Sequence, residues 1–325
     1  MPEIPFVQAV RDALAEEMRR DNKVFIMGED VGRGDGALGA TRGLLREFGE
    51  ERVRDTPISE AAIVGGGVGA AMTGTRPVVE VMFGDFLSVC FDEVYNKAAK
   101  WRYGHGGQFR IPMVIRSAIG NRFGTSMEHS QCPEALFMHT PGIKIVLPST
   151  PYDAKGLLKA AIRDDNPVLF FEHKQLYPVK GEVPGEEYTL PLGVADVKRK
   201  GTDVTIVAWS LMVQRALEAS AVLAGEGIEA EVIDLRTIAP LDKEAILRSV
   251  ASTHRLVIVE EANKTGGAGG EIAAIVVEEG FDYLDAPIIR VASLDVPIPY
   301  SRVLEAHVLP SVERIVEEVR TICNY

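Results

Sequence analysis

Two polar residues stand where chemistry could be done. In DTPISEAAIVGGGVGAAMTGTRP (55–77), Glu60 precedes a run of Ala, Ile, Val and Gly that carries no other charge before Arg76. An acid at the mouth of a segment built for burial reads either as a helix-capping group beside Ser59 or as a carboxyl reserved for proton exchange. His129 lies in GNRFGTSMEHSQCPEA (120–135), a polar, glycine-containing loop between two apolar runs. Loops held by a rigid sheet are where catalytic groups concentrate. On local sequence, His129 stays open between a catalytic and a surface role, while His139, His173 and His254 read as packing or surface residues.

Other motif-like strings point to structure. GGGVGAA imitates a dinucleotide fingerprint, but it does not close a strand and no acid follows at the required distance. KTGGAGGE (264–271) has phosphate-loop glycines with the lysine at the wrong end, so it reads as a turn leading into a helix. Cys90, Cys132 and Cys323 are widely spaced, which points neither to a disulfide framework nor to a structural zinc site. A formal charge of −12 argues against a nucleic-acid partner and leaves room for a basic protein partner. No apolar run reaches the ~20 residues of a membrane span. The N-terminus lacks a signal-peptide profile, so a cytoplasmic location is expected.

The elements that must position these residues alternate. Segments 23–30, 76–86, 111–118, 142–149 and 167–174 are apolar and of strand length, with helix-like stretches between them. In TPYDAKGLLKAAIRDD, Thr150 is placed to cap and Pro151 to enter the first turn. Such alternation predicts an α/β fold with a largely parallel sheet. From about 177 the texture turns to YPVKGEVPGEEYTLPLGVADVKR, rich in proline, glycine and charge, after which a second α/β series begins. The expected division is a domain over 1–176, a linker over 177–200 and a second domain over 201–325, in keeping with domains of roughly 150 residues.

GEDVG, DTPISEAAIVG, FGDF, EHSQCPEA, HTPGIKIVLPSTPYDAKGLLKAAIRDDNPVLFFEHKQLY and EVIDLRTIAPLD together resemble the β subunit of the thiamine-diphosphate-dependent E1 component of 2-oxo acid dehydrogenase complexes. That group includes pyruvate, branched-chain and acetoin enzymes. The resemblance implies a pyrimidine-binding N-terminal domain and a transketolase-like C-terminal domain. It further implies an α2β2 heterotetramer with an E1 α subunit, and transfer of the acyl group to the lipoyl group of the E2 acyltransferase.

The resemblance also implies roles for particular residues. Thiamine becomes a nucleophilic ylid when its own 4′-imino group removes the C2 proton, and that tautomer needs an acid facing pyrimidine N1′; Glu60 matches this glutamate. Phe86 matches the aromatic against the pyrimidine, and Met82 stands in the same cofactor-binding stretch. His129 matches a histidine that exchanges protons near the reacting carbon and orients the acyl group toward lipoyl. Backbone carbonyls at Met113, Ala161, Asp164 and Asn166 match a potassium site seen in parts of the family. Gly34-Asp35-Gly36 imitates the Mg²⁺ motif of thiamine enzymes, but AAIVGGG stands where the Asn pair should fall. Mg²⁺ and diphosphate are therefore expected on a separate α chain, with this chain inactive alone. Met82 replaces a glutamine common in pyruvate- and branched-chain-type β chains, and with LGVADVKRKG and GFDYLDAPIIRV it makes an acetoin-specific enzyme the chief alternative. A non-catalytic E2-binding scaffold is the alternative from another class, but it gives Glu60 and His129 no joint role.

Overall fold

The computed structural model describes residues 1–122 and 124–325. The chain forms two compact units, Met1–Gly120 with Leu136–Leu192 and Asn121–Ala135 with Gly193–Tyr325. Against the expected division at 176/177 and 200/201, two things differ. The first is that Lys180–Glu182, inside the expected linker, pairs antiparallel with Glu3–Pro5 and so belongs to the first unit. The second is that residues 121–135, early in the chain, cluster with the C-terminal unit.

In the first unit a parallel sheet runs Lys144–Val146, Val168–His173, Val114–Ile119, Arg76–Phe83, Val24–Gly28, Val53–Asp55. Its central strands are apolar because helices cover both faces of such sheets. One buried exception is Arg116, which donates to Glu172 at 2.7 and 2.9 Å and to Glu80 at 2.6 Å, while Tyr177 Oη donates to Glu172 at 2.8 Å. Each buried charge thus has an opposite partner, which offsets part of its desolvation. The helices Phe6–Arg20 and Pro151–Arg163 pack together. Lys159, fully buried, donates to Glu16 at 2.7 Å, and Arg163 reaches Glu17 at 3.0 Å. The second helix starts as its sequence predicts, with Thr150 Oγ1 accepting from the Asp153 N–H at 3.1 Å and Pro151 in the first turn.

The second unit has its own sheet, ordered Ile289–Ser293, Leu256–Asn263, Val204–Ala208, Ala230–Asp234 in parallel, then Asp196–Arg199 antiparallel at the edge. In both sheets the strand order reverses at an inner strand. In the first unit the reversal lies between Val24–Gly28 and Arg76–Phe83; in the second it lies between Val204–Ala208 and Leu256–Asn263. Open α/β sheets bind ligands beyond the carboxyl ends of strands at such points.

Candidate active site

The first unit brings Glu60, Met82 and Phe86 to the carboxyl edge of its sheet. Val53–Asp55 ends there, and the chain re-enters as the helix Glu60–Met72. Ser59 takes the N-cap position without a side-chain capping bond, so the capping reading of this segment has no hydrogen bond behind it. Glu60 is 7% exposed, yet among the described residues its carboxylate makes no hydrogen bond or ion pair. A buried acid without a partner at a sheet's carboxyl edge is a candidate ligand-binding group.

The surroundings of Glu60 are themselves acidic. Burial first, then the charges of Glu60 and Asp30, hold the Glu29 carboxyl above the usual range. Glu29 directly follows Val24–Gly28 at the point of strand reversal. Cys90 feels the same field: burial, then Glu93 and Glu60, push its thiol up to about 12, which leaves it protonated and unreactive. Glu29 escapes a sequence reading because GED looks like a solvated strand end. The signal was its position, immediately after the first buried strand.

Met82 owes its place to a bulge. Val81 pairs with Ser117 and Phe83 with Ala118, so Met82 is the extra residue of its strand. Bulges re-aim side chains and cluster beside active sites. Phe86 follows in the turn Gly84–Ser88, half-buried and edge-on to Phe83 with ring centroids 5.9 Å apart. The helix itself is pressed on the sheet at Gly67, where a Cβ would stand 2.7 Å from Val79 Cγ1; at Gly69 a Cβ would meet nothing within 4 Å.

His129 belongs to the second unit and is half-buried. The hairpin around it is bonded internally, with Thr125 and Ser130 hydroxyls 2.8 Å apart and Gln131 Nε2 donating to Met127 O at 3.0 Å. Of the other histidines, His139 and His254 are exposed, and His173 is buried against Gly120. Gly120 has φ +74° and no room for a Cβ, which would fall 2.0 Å from His173 Nε2.

The expected cation carbonyls lie in a basic corner of the first unit. Met113 O accepts from Val168 N and Ala161 O from Asp164 N, at 3.0 and 3.2 Å. Arg76 Nη1 donates to Asp164 O at 2.9 Å and Ile162 O at 3.0 Å, Lys144 pairs with the Asp164 carboxylate, and Arg102 donates to Asn166 Oδ1. These cations are paired with acids, Lys144 with Asp164 and both Arg76 and Arg110 with Asp165. At Gly34-Asp35-Gly36, Asp35 Oδ1 accepts from Gly43 N at 3.2 Å, so this carboxylate is used in holding its own loop. Among the described residues, no group of three or more His, Cys, Asp or Glu is arranged to hold a metal ion.

The strand order and the edge acids define a transketolase-like α/β chain. Residues 3–180 match the transketolase pyrimidine-binding domain and residues 193–315 the transketolase C-terminal domain. A split-gene transketolase described as an inactive β4 tetramer superposes with a TM-score of 0.81 over 99% of this chain and 98% of its own, at 24% identity. Curated relatives are nearer in sequence. The 2-oxoisovalerate dehydrogenase subunit beta of Bacillus subtilis (strain 168) is 46% identical over all of both chains. The acetoin:2,6-dichlorophenolindophenol oxidoreductase subunit beta of the same organism is 48% identical over 96% of this chain and 95% of its own. The pyruvate dehydrogenase E1 component subunit beta of Rhizobium meliloti (strain 1021) is 48% identical over 97% of this chain and 69% of its own. The chain belongs to the family of E1 β subunits of 2-oxo acid and acetoin dehydrogenases. Among the described residues, no helix is long and apolar enough to cross a membrane.

Proposed function

We propose that this chain is the β subunit of a thiamine-diphosphate-dependent E1 enzyme that cleaves a pyruvate-like 2-oxo acid or acetoin and passes the acyl group to the lipoyl group of an E2 acyltransferase. The observation that carries the reading is Glu60, a buried carboxylate with no partner among the described residues, at the carboxyl edge of a pyrimidine-domain sheet. When bound, thiamine diphosphate supplies a carbon nucleophile for the substrate carbonyl. Glu60 holds a proton at pyrimidine N1′. Phe86 offers an aromatic face to the pyrimidine, and Met82 adds a thioether without amide donors. His129 exchanges a proton with the substrate oxygen and orients the acyl group for transfer.

The β-subunit names of the relatives support an α partner, proposed here to complete an α2β2 particle in the cytoplasm and to hold Mg²⁺ and the diphosphate. Potassium is proposed at the carbonyls of Met113, Ala161, Asp164 and Asn166, around which Arg76, Arg102 and Lys144 are bonded. Met82 keeps acetoin beside a 2-oxo acid as the alternative donor. The test is coexpression with an α chain carrying GDG and an Asn pair, followed by product analysis. Acetaldehyde from acetoin or CO2 from a 2-oxo acid, lost in Glu60→Gln, is expected; neither product from an assembled pair would overturn the reading.

A further inference from the structure

At the point of strand reversal in the second unit's sheet, both ends of the chain's own segment 121–135 are bonded. Trp209 immediately follows Val204–Ala208, and Glu260 and Glu261 lie on the adjoining strand just past the Ala208–Val259 pairing. These are the positions at which such a sheet presents a ligand crevice. One end of the segment is fixed by the Asn121 N–H donating to Glu261 Oε1 at 2.8 Å. The other end is fixed by Trp209 Nε1 donating to Glu134 Oε1 at 3.1 Å, with both side chains buried. Between the two anchors stands His129.

We infer that Glu134 is a positioning residue, which seats the 121–135 segment in the crevice of the second sheet as a built-in ligand and so holds His129. The role for His129 rests on the function proposed above; the seating does not. Glu134 Oε2 has no hydrogen-bond partner among the described residues. Burial holds the Glu134 carboxyl up at about 7 against the bond from Trp209, and the charges of Glu260 and Glu261 add to the rise. Glu260 is occupied elsewhere, accepting from Gly269 N and Arg290 Nη2, each at 3.2 Å. Neutral Glu134 therefore seats more firmly than ionised Glu134, which meets two like charges without a cation of its own.

The sign of the pH dependence follows. A carboxyl whose seated pKa is raised makes seating weaken as pH climbs from the free value of 4.5 to about 7, with little further change above. Hydrogen–deuterium exchange on the full-length chain, read on peptides from 121–135 and corrected for intrinsic rate, tests this. Trp209→Phe, which removes the N–H together with part of the ring, and Glu134→Ala should each raise exchange there about tenfold or more, with the sheets unchanged. Glu134→Gln keeps an acceptor for Trp209; it should keep the protection and abolish the pH dependence between 4.5 and 7. Unchanged exchange in both Trp209→Phe and Glu134→Ala, or a pH profile that survives in Glu134→Gln, would overturn the inference. Activity of the coexpressed Trp209→Phe enzyme separates the two readings. Loosened exchange with a matching fall in kcat supports both; loosened exchange at full kcat supports the seating and removes His129 from the reaction.

Discussion

At the carboxyl edge of the first unit's sheet, Glu60 is buried with no partner among the described residues, whereas at the same edge of the second unit's sheet three buried acids are bonded. There Glu134 is bonded to Trp209, Glu260 to Gly269 and Arg290, and Glu261 to Asn121. Both sheets reverse strand order at an inner strand and so offer the same kind of crevice. The second is bonded to its own polypeptide at two points, and the first holds Glu60, proposed above to meet a ligand. Burial alone therefore does not mark a functional carboxylate, nor does burial without an internal partner by itself: Glu305 is also buried, and among the described residues neither of its carboxylate oxygens has a hydrogen-bond partner. Glu60 adds its place at the carboxyl edge of the sheet.

The largest expected effect tests that distinction directly. Glu60→Gln should lower turnover of the coexpressed enzyme by about 10²–10⁴ while leaving folding and assembly intact, because an amide cannot hold and release the proton. More than a tenth of wild-type turnover at saturating cofactor would place Glu60 with the structural acids.

His129→Ala should leave substrate cleavage largely in place and slow acyl transfer to lipoyl by about 10². Rapid-quench measurement of the two steps separates them. Equal loss in both, or none in either, would give the histidine another part.

A pair of glycines sharpens the comparison at the level of packing. Gly67→Leu forces a side chain where Val79 already stands 2.7 Å from the added carbon, and should destabilise the chain by about 1–3 kcal/mol or more in urea unfolding. Gly69→Leu meets open space, so the lone chain should keep its stability. If the helix Glu60–Met72 lies at the contact with an α chain, the same change should dissociate the coexpressed particle in sedimentation. An intact, fully active particle would restrict the glycine run to internal packing.

The smallest effect concerns potassium. With Arg76, Arg102 and Lys144 bonded around the carbonyl corner, exchanging Na⁺ for K⁺ should move the melting temperature by no more than about 1 °C, the scale of an ion present near its Kd. A shift of several degrees would install the ion there.

Much of this architecture is legible in sequence because parallel strands buried on both faces must be continuous apolar runs, as Val24–Gly28, Val114–Ile119 and Val168–His173 are. Edge strands are less visible. Val53–Asp55 and Asp196–Arg199 are charged and short, since one side of each is free of the sheet, and the second passes for linker. KTGGAGGE, read as a turn into a helix, does lead into Ala268–Gly280, and its glycines let the Glu260 carboxylate approach that helix's start. Glu60 and His129 stand out as polar residues in telling contexts. Glu134 does not, because PEA resembles any exposed helix beginning; its partner Trp209 lies far along the chain, and only the fold brings the two together.

The detour of residues 121–135 bears on how such a chain can be divided. A cut in the stretch near 192, which looks like a natural seam, would leave the C-terminal product without the piece that caps its own sheet, although every residue after the cut were present. The two units are thus consecutive in name only: the ribosome delivers the cap some 70 residues before the sheet it closes.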